Sequence, residues 1–104
     1  MIVDTQIGRE FVETGVSGIQ RSRTWQADGE GAYFVRLAAG SRFPRHDHEG
    51  IEQILVVSGR VQFDDLEMTA GDFLKMNAGE RHAAYAPEDT LVFVAHRGGL
   101  VIEK

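Results

Sequence analysis

The chain contains no cysteine. Disulfides and thiolate chemistry are thereby excluded, and any metal must be held by imidazole and carboxylate groups. The absence fits a reducing compartment without proving one, because exported proteins also exist without disulfides. Long apolar runs are missing as well. The longest, Ile54–Val57 and Leu91–Ala95, fall far short of the roughly 20 residues that a membrane-spanning helix needs. Met1–Glu10 carries Asp4, Arg9 and Glu10 without an apolar stretch and does not resemble a secretory signal. Basic residues are in the minority, 11 Lys+Arg against 16 Asp+Glu, a formal charge of −5. Phosphate binding depends on clustered Lys and Arg, so nucleic acid is a poor partner. The composition therefore points to a cytoplasmic protein with neither a nucleic-acid nor a membrane partner.

Helical periodicity is also lacking: no segment keeps an apolar residue every three to four positions over three turns. Short β-favouring runs take its place, separated by glycines, of which there are 12 against two prolines. Ala32–Leu37, Glu52–Ser58, Arg60–Phe63, Leu66–Met68, Asp72–Met76, His82–Tyr85, Thr90–His96 and Leu100–Ile102 read as strands. Asp64-Asp65 joins two of them as a hairpin-length turn. Phe11-Val12 and Ile19–Trp25 are further strand candidates in an N-terminal region, residues 1–30, and Gln26–Gly31 reads as a loop. The repeat of about 8–12 residues is that of a sandwich or barrel. At 104 residues the chain is expected to form a single all-β domain, residues 1–104, and closure into a barrel would hide its strand edges.

Chemistry concentrates in one constellation. Gly40, five residues, His46-Asp47-His48, three residues, Glu52, six residues and Gly59 form a first segment. Gly71, seven residues, Gly79, two residues and His82 form a second. Residues of like parity on a strand share a face, so His46 and His48 point together, and parity and charge both favour Glu52 over Gln53 as the acid. His82 must arrive from another strand, which makes the fold part of the site. The four glycines sit at strand ends, where turns often need positive φ. His96 reads as a strand-end residue. Arg42, Arg45, Arg60 and Arg81 could hold an anionic substrate but read better as solvated partners of the surplus acids. Tyr33, Phe34, Phe63, Met68, Met76, Tyr85 and Phe93 are candidate pocket or core residues. Trp25 fits core, dimer contact or pocket wall equally. No residue stands out as a general base. Tyr85, three positions after His82, is the candidate for a supporting polar group.

These segments resemble the two cupin motifs, Gly-x5-His-x-His-x3-Glu-x6-Gly and Gly-x5-Pro-x-Gly-x2-His-x3-Asn. The first is complete; in the second, Asn77 and Ala86 replace the proline and the asparagine. Leu37–Val94, through Gly40–Gln53, Ala70-Gly71-Asp72 and Gly79–Ala83, is similar to the cupin domain of ChrR-type anti-sigma factors and their enzyme-like relatives. The resemblance implies a double-stranded β-helix (jelly-roll) cupin barrel, with a core over residues 37–94 and His46, His48, Glu52 and His82 converging on one divalent metal ion, Fe, Mn, Ni or Zn. By analogy with cupins it also implies a homodimer. ChrR-type factors carry a further zinc-dependent helical domain that binds the sigma factor; this sequence shows no counterpart, so that role does not transfer.

Two functions follow. Three imidazoles and a carboxylate saturate tetrahedral zinc but leave two positions open on an octahedral ion, enough for a chelating oxygen substrate or for substrate and O₂. The first is a non-haem metal-dependent dioxygenase or related oxidoreductase acting on a small, chelating, oxygen-containing substrate. The second is a non-catalytic metal- or ligand-sensing module.

Overall fold

The structure is a computed structural model that describes residues 1–48, 50–98 and 100–102, with side chains described for 1–46 and 50–98. It is all-β. Eleven strands, β1 Val12–Glu13, β2 Ile19–Ala27, β3 Glu30–Leu37, β4 Arg42–His48, β5 Glu52–Ser58, β6 Arg60–Phe63, β7 Leu66–Thr69, β8 Phe73–Met76, β9 His82–Tyr85, β10 Thr90–Arg97 and β11 Leu100–Ile102, follow one another in the chain. They form two sheets, β1-β2-β3-β10-β5-β8 and β11-β4-β9-β6-β7, and all described pairings are antiparallel. No helix of the described chain is long and apolar enough to cross a membrane.

Alternation sets which residues enter the core. β5 buries Glu52, Ile54 and Val56 while exposing Gln53, Leu55 and Val57, and β10 buries Thr90, Val92 and Val94. With Ile19, Leu37, Val61, Phe63 and Met68 these residues build the interior between the sheets. Fully burying each aliphatic side chain stabilises by roughly 1.5–3 kcal/mol. The strand runs read from the sequence from Ala32 onward lie within these elements to a residue or two at their ends.

Three readings need correction or completion. The loop at Gln26–Gly31 shrinks to Asp28-Gly29, because Ala27 pairs with Glu30. Both turn residues have positive φ, 53° and 78°, the conformation of a two-residue hairpin whose twist matches its strands. β4 is not among the runs marked by composition. Pro44 and two arginines disguise it, and the proline falls within a register irregularity between Phe43 and His46, where a missing N–H is tolerated. The strand candidate Phe11-Val12 becomes β1, with Phe11 outside it. The segment preceding β1 lies against the outer face of the larger sheet: the Arg9 guanidinium stacks 3.6 Å from the Phe34 ring centre, and Arg36 stacks on Phe11 at 4.1 Å.

The motif glycines Gly40, Gly59, Gly71 and Gly79 all have positive φ. At Gly59 space matters too: an added Cβ would sit 2.2 Å from the Asp89 carbonyl oxygen, so the turn from β5 to β6 admits no side chain.

Candidate metal centre

The site is assembled from both sheets. His46 and His82 are direct partners across β4 and β9, and their rings stand 4.2 Å apart between centroids. Glu52, at the start of β5, comes from the facing sheet, and its Oε1 lies 3.7 Å from His82 Nε2. The three residues are 5%, 4% and 3% exposed in the order His46, Glu52, His82. Each can offer a ligand atom such that all lie within 4.8 Å of one another.

Local sequence explains the alignment. The register irregularity after Phe43 brings both Phe43 and His46 to the interior although they are three positions apart. Phe43 meets the His46 ring edge-on at 4.8 Å, and Phe63 lies 5.2 Å from the His82 ring. His46 Nδ1 lies 3.0 Å from the Pro44 carbonyl oxygen. A carbonyl can only accept, so Nδ1 carries a proton and Nε2 is the ring nitrogen left for a cation, the arrangement typical of metal-ligating histidines. Two imidazoles and a carboxylate are a donor set for a divalent ion, and a cation among them would neutralise the buried Glu52 charge. The triad can hold a metal ion.

The site opens on a cavity of about 150 Å³. Its walls are mainly apolar, including Ile19, Val35, Val61 and Val94, with Thr14, Arg21 and Tyr33 as polar exceptions beside the triad. Burial pushes the Tyr33 phenol above its ordinary range; the Glu52 carboxylate adds to this, while Arg21 and Arg23 oppose it. The phenol is therefore a protonated donor at neutral pH.

His48 is in register with Leu100 of β11, and its side chain lies outside the described residues. Gln53 is exposed. His96 is the register neighbour of Glu52 on β10 but not a member of the ligand cluster: its Nδ1 lies 3.1 Å from the Gly98 carbonyl oxygen and its ring faces Tyr33 at 5.5 Å. Tyr85 does not support the triad from the cavity side. Three positions along a strand reverse the face, so Tyr85 points away from His82 and lies under the Arg42 guanidinium at 4.2 Å. Of the candidate pocket aromatics, Tyr33 and Phe63 line the cavity, whereas Phe34 and Phe93 pack on each other at 5.1 Å. Arg45 pairs with Asp64 at 2.8 Å and Arg60 with Glu67 at 3.1 Å, as solvated partners. Trp25 is half-buried and outside the cavity wall. The sequence reading passed over Arg21 and Phe43. The parity of Arg21 with Ile19 was the available signal for the first, while the β4 irregularity hid the second.

The family described as the ChrR cupin-like domain matches residues 3–101. The chain belongs to the ChrR cupin-like domain family. Solved structures agree with this cupin fold. An RmlC-like cupin from Ralstonia eutropha superposes with TM-score 0.84 at 20% identity, covering 96% of this chain and 70% of that one. An acetylacetone dioxygenase from Acinetobacter johnsonii gives TM-score 0.86 at 14% identity, covering 100% and 77%. The anti-sigma factor ChrR of Rhodobacter sphaeroides, in complex with SigE, gives 0.77 at 20% identity, covering 88% of this cupin and 50% of that chain. Among curated proteins none is significantly similar.

Proposed function

We propose that the 104 residues form one cupin domain with a mononuclear centre of His46, His48, Glu52 and His82, acting as a non-haem metal-dependent dioxygenase or related oxidoreductase on a small chelating oxygen compound. The buried His46/Glu52/His82 triad at the end of an apolar cavity carries this reading. An Fe, Mn or Ni ion held by these four residues would supply Lewis acidity towards a chelating oxygen ligand. The chain's own residues do the rest. Phe43 and Phe63 flank the imidazoles and fix their planes, the aliphatic walls exclude water, and Tyr33 offers a phenol proton towards the cavity. The superposition with an acetylacetone dioxygenase supports the reaction class through the fold alone. Oxygen-electrode measurements on Fe(II)-loaded protein with β-dicarbonyls and hydroxyketones test it. Substrate-dependent uptake that His82→Ala abolishes is the expected result; no uptake across the panel, with iron bound, would overturn it.

The family match favours a second reading, a non-catalytic metal- or ligand-sensing module. It requires tightly bound zinc, no turnover, and a change of shape or partner affinity on ligand binding. Elemental analysis of protein purified without added metal, followed by activity after reloading, separates the two. In either case the setting we propose is a cytoplasmic homodimer.

A further inference from the structure

We infer that Arg21 makes the cavity selective for a compact organic anion of carboxylate or enolate type. The inference rests on the metal-centre reading and names the ligand class for that site. Ile19, Arg21 and Arg23 occupy successive like-parity positions of β2, opposite Leu37, Val35 and Tyr33 of β3. Ile19, Leu37, Val35 and Tyr33 all line the cavity, and so does Arg21. A half-buried guanidinium in an aliphatic wall loses hydration without evident structural return, and no described residue gives the Arg21 side chain a hydrogen bond or ion pair. The cavity thus presents an unused planar donor fork, the geometry that matches a carboxylate.

Charge points the same way. Among the described residues lining the cavity, Glu52 is the only acid and Arg21 the only Lys or Arg. A divalent ion at the triad more than cancels Glu52, and Arg21 adds to the positive surplus. A second cavity of about 240 Å³ shares Arg21, Tyr33 and Glu52 with the first and is also bordered by Arg23 and by Arg97, which pairs with Glu30 at 3.3 Å. Size restricts the ligand: an apolar cavity of about 150 Å³ accepts a molecule roughly as large as benzene. The ligand therefore combines a metal-facing oxygen with an anionic group reaching Arg21 and a short carbon frame between them.

The test is calorimetric titration of zinc-loaded protein with malonate, with its neutral counterpart malonamide and with inorganic phosphate. Wild type is expected to prefer malonate to both. Arg21→Gln should weaken malonate about tenfold or more, the scale of losing a charge-assisted hydrogen bond, and leave malonamide nearly unchanged. Arg21→Lys, which keeps the charge without the fork, should fall between them. Arg42→Gln, on the outer face, should match wild type. Equal malonate affinity in wild type and Arg21→Gln, or no wild-type preference for malonate over malonamide, would overturn the inference. Phosphate bound as tightly as malonate would overturn the organic-anion assignment. Zinc content of the same samples judges the metal reading separately.

Discussion

His46 and His82 are register partners on adjacent strands, 36 positions apart in the chain, and their ring centroids are 4.2 Å apart. Neither belongs to a loop. Each is held by a sheet ladder and an aromatic neighbour, so the spacing of the two imidazoles is as rigid as the smaller sheet itself. Glu52 is the one described ligand candidate contributed by the other sheet, and metal binding should accordingly tie the two layers together.

Removing either imidazole should therefore remove metal. His46→Ala and His82→Ala are expected to weaken metal binding by more than roughly 100-fold, beyond the usual cost of losing a supporting group around a ligand. His48→Ala tests the proposed fourth ligand in the same way. Equilibrium dialysis with elemental analysis reads the outcome, and unchanged stoichiometry in any variant would remove that residue from the centre.

Metal should also stabilise the fold. A ligand that binds the native state alone raises the melting temperature with its concentration, so chelation should lower it in wild type and leave His82→Ala unmoved. A wild-type melting temperature indifferent to chelator would contradict a site shared between the sheets.

Acid should release the ion. Ligating imidazoles must be neutral, and the ordinary histidine range lies near 6.5, so retention should decline as pH falls through and below about 6.5. Full retention down to about pH 4 would be incompatible with histidine ligation.

Tyr33 gives a sign at the other end of the scale. Burial raises its phenol above the unfolded value of about 10. Above pH 10 the unfolded chain loses this proton while the folded chain keeps it, so the stability contribution is complete below about pH 10 and is lost as pH climbs towards the raised folded value. Tyr33→Phe should flatten this alkaline decline in urea-denaturation midpoints; an identical pH dependence in both proteins would disprove the assignment.

Two glycines should separate strain from crowding. Gly59→Ala meets both a φ of 85° and the Asp89 carbonyl, whereas Gly40→Ala meets the same φ with open space around it. Both should destabilise by at least about 1 kcal/mol, Gly59→Ala by clearly more. Equal urea midpoints for the two variants would show that the close approach at Gly59 relaxes freely.

Much of this was legible in the chain because it is local. Period-two alternation marks β5, β6, β9 and β10, and the same parity rule selects Glu52 over Gln53. Turn chemistry marks Asp64-Asp65 and the motif glycines. The Asp28-Gly29 hairpin carried an equally local signal that was absorbed into a longer loop. β4 was harder: its charged residues and Pro44 obscure the alternation, and the irregularity after Phe43 shifts the parity by one.

Linear order thus determined the strand pattern, the positive-φ turns and the identity of residues able to bind a cation. Only the tertiary structure decided that His46 lies opposite His82, that Glu52 meets them from the second sheet, that Tyr85 faces outward and that Arg21 faces the cavity. Alternation says which side of a strand a residue occupies; which strand stands across from it depends on sheet order and register, and these are set by contacts between segments distant in the chain.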